Sequence, residues 1–278
     1  MQRYYESKEI TDFYAKYRGL YPKDTANHVI KHVVNNKRNY DESKKLERML
    51  EVGCGSGQAT NLFAPYFKEV IATDVSPNMI KRANQQNEFS HVRYAEGCAE
   101  SIDAENGSVD MILSAECAHW FDLPKYFSEV SRVLKPDGSL ALLCYYIPSI
   151  HPTGSAKEPY VEPYWKVLNE LMSEATYNRD AYKELENFYP NIFLKIPSDQ
   201  KVSFKMHKKI TVSLAVYIAM LKTVDAFQNT KKDQLLNRFS GMLKKAWGLD
   251  ENTDESQFNI DLHFEFRVIV ARNLKSKI

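Results

Sequence analysis

The sequence predicts an α/β protein: a seven-stranded, mostly parallel sheet with helices on both faces and its last strand antiparallel. Two observations carry this. Short apolar runs alternate with amphipathic stretches from residue 46 to residue 146, and strands that are continuously apolar belong to parallel sheets covered on both sides. Two more β-like segments, Lys201 to Ile210 and Phe264 to Val270, follow a stretch punctuated by Pro148, Pro152, Pro159 and Pro163.

Taken in order, Asp24 to Val34 reads as a helix and the polar stretch Asn35 to Lys45 as a loop. Leu46 to Val52 is a strand that runs into glycines, and Gln58 to Tyr66 is helical. Glu69 to Thr73 is a strand. Pro77 to Gln86 is a helix, with Ser76 as N-cap and Pro77 at the first helical position. His91 to Ala95 and Val109 to Ser114 are strands. Leu123 to Leu134 is an amphipathic helix stopped by Pro136, and Ser139 to Tyr146 is a strand. Tyr164 to Ala175 and Asp180 to Phe188 read as helices, the second ending at Pro190. Val212 to Val224 and Lys232 to Trp247 complete the helices. The expected organisation is one domain over 1–278, with a core of about 46–146 plus 201–278. A lid comes from 1–22 and from an insertion at 148–199 over the C-terminal edge of the sheet, where open α/β sheets bind ligands.

Composition narrows the function classes. Of the 278 residues 44% are apolar and 26% charged, and the net charge is +1, so no field steers the chain toward nucleic acid or an anionic membrane. No apolar run has the length of a membrane span. The Tyr-rich, charged stretch Met1 to Leu20 lacks the apolar centre of a signal peptide. Cys54, Cys98, Cys117 and Cys144 are scattered without a C-x-x-C pair, which suits reduced thiols and a cytoplasmic location. The expected partner is a small molecule; the oligomeric state is left open.

The most informative stretch is Leu50-Glu51-Val52-Gly53-Cys54-Gly55-Ser56-Gly57. Glycines at a strand-to-helix turn let a ligand lie against bare main chain. The spacing is G-x-G-x-G, whereas the dinucleotide fingerprint is G-x-G-x-x-G and cradles a diphosphate. Glu51, two residues before Gly53, would repel a diphosphate but suits a cationic ligand; its alternative is a solvated strand-end charge. Asp74 ends the second strand about 20 residues on, where an acid accepts hydrogen bonds from ribose hydroxyls. Its alternative is a helix N-terminal acid complementing the dipole of the following helix. Cys98 to Ile102 forms a loop suited to an adenine edge.

These residues, with Thr73 to Met79, Ala99-Glu100, His119-Trp120-Phe121-Asp122 and Val133 to Leu140, resemble the class I S-adenosylmethionine-dependent methyltransferases. The chain looks most like the trans-aconitate methyltransferase-like branch that acts on small molecules. The resemblance spans about residues 46 to 146, and Tyr14 to Pro22 also looks like that branch, whose members close such a segment over the cofactor. It implies a Rossmann-like fold and S-adenosyl-L-methionine as cofactor. By resemblance Gly53 and Gly55 approach its methionine part, Asp74 takes the ribose, and Met79 and Ala99 flank the adenine. Glu51, Glu100 and Glu116 complete the set, and Tyr17 and Arg18 meet the cofactor carboxylate. One departure touches the substrate side: the branch carries Thr-Trp-Ser followed by an aromatic where this chain has Thr223-Val224-Asp225-Ala226-Phe227.

His119 and Trp120 lie just beyond the fourth strand, beside where the methyl group points, and are either substrate contacts or pocket wall. His119 is the candidate catalytic group, a base if the nucleophile needs one. Trp120 and Tyr164 are the candidate substrate contacts, with lid core as the alternative for Tyr164 and its neighbours Tyr160 and Trp165. Arg18, Arg179 and Lys195 are cations suited to pairing with an acid. No H-E-x-x-H motif or metal-binding carboxylate cluster is present, so no metal is expected, and no G-x-S-x-G elbow supports a Ser/His/Asp triad. Methyl transfer from a sulfonium needs alignment and exclusion of water, and a carboxylate is already ionised at neutral pH. The sequence therefore predicts O-methylation of a small organic acid. The alternatives are a base-assisted phenol or amine methyltransferase, a protein that binds the cofactor without chemistry, and a nicotinamide oxidoreductase, which the glycine spacing and Glu51 disfavour.

Overall fold

The computed structural model describes residues 21–35, 44–153, 179–222 and 232–275. Tyr17, Arg18, Tyr160, Tyr164, Trp165 and the Thr223 to Phe227 stretch lie outside them.

The described residues form an eight-stranded mixed sheet. In chain order the elements are α1 (Thr25–Val34), β1 (Leu46–Val52), α2 (Gln58–Phe63), β2 (Phe67–Asp74), α3 (Pro77–Gln85) and β3 (Val92–Glu96). Then come β4 (Val109–Ala115), α4 (Leu123–Val133), β5 (Leu134–Tyr145), β6 (Ser149–Pro152), α5 (Arg179–Glu186) and α6 (Pro190–Lys195). The last are β7 (Gln200–Ser213), α7 (Leu214–Leu221), α8 (Lys232–Ala246) and β8 (Asn259–Arg272). The spatial order begins β3-β2-β1-β4-β5-β8, and pairs among β1 to β5 are parallel. Only β8 runs the other way, antiparallel to β5, β6 and β7. The order reverses between β1 and β4, and such a switch point opens a crevice outside the strands' C-terminal ends.

The Rossmann-like class stands, and the strand count is corrected from seven to eight. The added strand, β6, fell within the expected insertion. It lies on the same side of β8 as β5: β5 pairs residues 266–272 and β6 pairs residues 260–263. Between Tyr145↔Phe266 and Ser149↔His263 the β5–β6 side has three residues against two on β8, so one extra residue bulges out. Pro148 falls in this break, where it gives up no ladder hydrogen bond.

Helices cover both faces because the central strands β1, β4 and β5 are apolar on both. On one face Val29, Phe63, Phe67, Leu236 and Phe239 are buried with Met49, Val70 and Val268. On the other Tyr126, Val130, Tyr189 and Ile192 are buried with Leu140, Leu142 and Ile269. Each such side chain contributes roughly 1.5–3 kcal/mol on removal from water. Leu185, Tyr189, Ile192 and Ile196, from the segment expected to form a lid, are buried in this second cluster. Pro190, read as a helix stop, opens α6 at its first position.

Candidate active site

The glycine loop forms as a tight exit from β1. Gly53 N–H and Cys54 N–H both donate to the Thr73 carbonyl, at 2.8 and 2.9 Å, which ties the loop to the end of β2. Gly53, Gly55 and Gly57 have φ of +76°, +54° and +90°, in the left-handed region that costs other residues about 1–2 kcal/mol. Space is equally restrictive. A Cβ on Gly53 would stand 2.7 Å from Cys117 Sγ, and one on Gly57 2.5 Å from Tyr94 Oη.

Asp74 is the clamp of this turn. Its Oδ2 accepts from Gly55 N–H and its Oδ1 from Ser76 N–H, each at 2.9 Å. Ser76 Oγ in turn accepts from Met79 N–H, capping α3. A carboxylate has about four acceptor positions, so a local structural bond does not by itself exclude a bond to a ligand hydroxyl. The local structural role and the binding role are thus compatible.

Glu51 is 1% exposed, which rules out a solvated strand-end charge. Thr60 Oγ1 donates to its Oε2 at 2.5 Å. Burial pushes its pKa from 4.5 up to about 8; the Thr60 bond opposes this and the nearby Asp74 charge adds to it. The end of β1 therefore holds an acid that a cation would ionise. Burial also raises the thiols of Cys54 and Cys117, and all four cysteines are free.

The adenine-edge candidates come from two other elements. Met79 and Ala99 are each 2% exposed, so both side chains pack into the interior beside the ends of these elements. The loop after β3 is held by α4 at both ends. Glu100 Oε1 accepts from Asp122 N–H at 2.9 Å, and Arg132 donates to the carbonyls of Ile102 and Ala104, both at 2.7 Å. Glu129 Oε2 accepts from Ile102 N–H at 2.8 Å and pairs with Arg132.

Beyond β4 the chain turns sharply at Glu116, whose φ is +61°. Its N–H donates to Leu143 O, and its Oε2 accepts from Tyr145 N–H, both at 2.8 Å. Glu116 thus spans the ends of β4 and β5. A 3₁₀ turn, Ala118–Trp120, follows. Cys117 Sγ donates to Val52 O at 3.2 Å, which sets this turn against the glycine loop. His119 and Trp120 are half-buried, with ring centroids 4.8 Å apart.

Sequence reasoning missed the partner of His119. Tyr189 Oη lies 2.7 Å from His119 Nδ1. Tyr189 is 0% exposed, and burial pushes its phenol well above the ordinary value, so it stays neutral. It sits at the corner between α5 and α6, where Phe188 and Tyr189 have φ of +58° and +62°. Two successive non-glycine residues in that region store strain. The corner holds because Tyr189 N–H donates to Glu184 O at 2.6 Å and Ile192 N–H to Glu184 Oε2 at 3.3 Å. The contact joins residues 70 apart, so no local pattern announces it; Pro190 after an aromatic pair is the only trace.

Of the cations selected from sequence, Arg18 lies outside the described residues and Arg179 opens α5. Lys195 is exposed in the last turn of α6, about 9 Å along the helix from Tyr189. A cation not selected, Arg267 of β8, stands over the Phe188 ring at 5.5 Å and opposite Cys144. Its Nε is buried without a hydrogen-bond partner among the described residues. These residues contain no group of three or more metal-ligating side chains, and none of their helices is long and apolar enough to cross a membrane.

The comparisons with known proteins agree with this geometry. Residues 50–142 match the family model described as a methyltransferase domain, which covers the glycine loop, Asp74 and His119. A Dictyostelium discoideum protein named as a methyltransferase is 28% identical over 232 residues, 82% of this chain and 83% of that one. A Saccharomyces cerevisiae protein named as an S-adenosylmethionine-dependent methyltransferase is 30% identical over 181 residues, 61% and 59% of the two chains. The fold is shared with the solved structure of a type II methyltransferase from Anaeromyxobacter dehalogenans, at a TM-score of 0.68 and 21% identity over 92% of this chain and 98% of that one. A glycine turn clamped by an acid, a buried carboxyl suited to a cation and this set of relatives lead to one conclusion: residues 50–142 form a methyltransferase domain, and the protein is an S-adenosylmethionine-dependent methyltransferase.

Proposed function

We propose that the protein methylates a carboxylate oxygen of a small organic acid, giving an ester, and that it does so without a general base. The observation that carries this is the partner of His119. A histidine base is ordinarily oriented by a carboxylate that stabilises its protonated form, whereas His119 Nδ1 meets a neutral, buried phenol. An ionised carboxylate needs no proton removed. A second support is similarity to a Serratia marcescens protein named malonyl-[acyl-carrier protein] O-methyltransferase, 26% identical over 52% of this chain and 59% of that one. A malonyl group carries a free carboxyl. The reading retains the trans-aconitate-like branch, on the residues that resemble it, and a cytoplasmic location, on the four free cysteines. It also retains a small-molecule substrate, with no nucleic-acid or membrane partner.

In this reading S-adenosylmethionine supplies an activated methyl group on a positive sulfur. Gly53 and Gly55 give bare main chain for close approach, and Asp74 accepts from the ribose hydroxyls. Met79 and Ala99 sandwich the adenine, with Glu100 at its edge, and Glu51 and Glu116 supply negative charge. Tyr17 and Arg18 meet the cofactor carboxylate, while Trp120 and Tyr164 contact the substrate. Holding the acid in line with the sulfur and excluding water is the catalytic contribution. The test supplies labelled cofactor with small carboxylic acids, phenols and amines in parallel. Label on the acids is expected. Label confined to phenols or amines, with activity lost in His119→Ala, would instead support the base-assisted alternative.

A further inference from the structure

We propose that Tyr189 is a positioning residue that fixes neutral His119 in the tautomer protonated on Nε2, making His119 a hydrogen-bond donor to an acidic substrate rather than a base. Tyr189 Oη is 2.7 Å from His119 Nδ1, and this is the hydrogen bond its hydroxyl makes among the described residues. The side chain is 0% exposed, so water does not substitute for a missing partner. A neutral phenol has one proton to donate, and a buried donor left unmatched is costly. If Nδ1 carried the imidazole proton, two hydrogens would face each other or the phenol hydrogen would point at nothing. The satisfied arrangement is O–H donating to a bare Nδ1, which leaves the imidazole proton on Nε2.

The frame that delivers the hydroxyl is rigid. Tyr189 sits in a left-handed corner, with Phe188 beside it in the same region. Glu184 fastens that corner through its carbonyl and its carboxylate. On the other side Cys117 ties the turn carrying His119 to the β1 end, and the ring packs on Trp120. Both partners are therefore set by backbone fastened elsewhere, so the 2.7 Å contact is imposed on the imidazole.

The consequence is chemical. An Nε2–H donates to an oxygen that holds lone pairs, as a carboxylate does, and polarises it little. It accepts no proton from a phenol or an ammonium until the ring has surrendered its bond to Tyr189. This consequence rests on the methyltransferase reading, in which substrate meets the turn after β4. The tautomer itself does not, so a non-ester product beside an Nε2–H histidine would remove the carboxylate reading and leave the role of Tyr189 standing.

The experiment is a multiple-bond proton–nitrogen correlation spectrum of the full-length ¹⁵N-labelled protein with S-adenosylhomocysteine bound, at a pH where His119 is neutral. His119→Asn identifies its signals. The expected result is a proton-bearing Nε2 and a bare Nδ1, with a mixture of tautomers in Tyr189→Phe, which retains the ring and loses the hydroxyl. A wild-type His119 protonated on Nδ1 would overturn the proposal, and does so whether or not Tyr189→Phe folds. An undiminished Nε2–H population in folded Tyr189→Phe would overturn it as well.

Discussion

A carboxyl group as deeply buried as that of Glu51 is either paired or neutral, and here one threonine hydroxyl is the bond it receives. Its pKa of about 8 against an ordinary 4.5 has a definite sign in stability. The folded form favours the protonated acid, so this contribution is full below pH 4.5 and is lost as pH rises to about 8, by roughly 1.4 kcal/mol per pH unit. Glu51→Gln is expected to flatten that part of the stability curve in urea titrations from pH 5 to 8; a slope as steep as the wild type's would contradict the assignment. A cationic cofactor beside Glu51 reverses the preference, so binding near pH 6.5 is expected to release a proton. Calorimetry in two buffers of different ionisation enthalpy reads this directly, and Glu51→Gln removes it. Gly53→Ala has both a left-handed φ and the Cys117 sulfur against it. A loss of about 2 kcal/mol or more is expected, which lowers the melting temperature by roughly 4–8 °C. Residues set by local spacing, such as Glu51 and Asp74, were legible in the sequence; their environment was not. Burial of Glu51 depends on β2 and β4 flanking it, and Tyr189 reaches His119 across 70 positions.

At the scale of elements, the loop between β3 and β4 is held by α4, and only the helix was legible. The amphipathic pattern gave its buried face; the grip of Arg132 on two carbonyls is a long-range fact. Arg132→Met retains most of the side-chain packing and releases the loop. Affinity for S-adenosylhomocysteine is expected to fall several-fold by calorimetry while the far-ultraviolet spectrum is unchanged. Unaltered affinity would detach this loop from the cofactor site. The central parallel strands β1, β4 and β5 were legible because burial on both faces leaves a nearly continuous apolar run. The four residues of β6 were not, since a short strand containing Pro152 and preceded by Pro148 reads as loop. The α5–α6 corner was misread for a related reason: proline both ends helices and opens them, and local sequence does not say which.

For the whole molecule, the switch in strand order between β1 and β4 brings the glycine loop and the His119 turn to one crevice. Spacing announced that topology from residue 46 to 146. The second half was less legible because β8 serves three partners at once, and nothing in its own fourteen residues specifies them. What the crevice methylates is the central claim, and the chemistry of the product decides it without the substrate's name. The protein is incubated with methyl-labelled S-adenosylmethionine and a small-molecule extract, and the labelled product is treated with mild alkali. A methyl ester is expected, so the label should leave as volatile methanol. Label that stays on the product through alkali, as in an N-methyl or aryl ether group, would contradict the account.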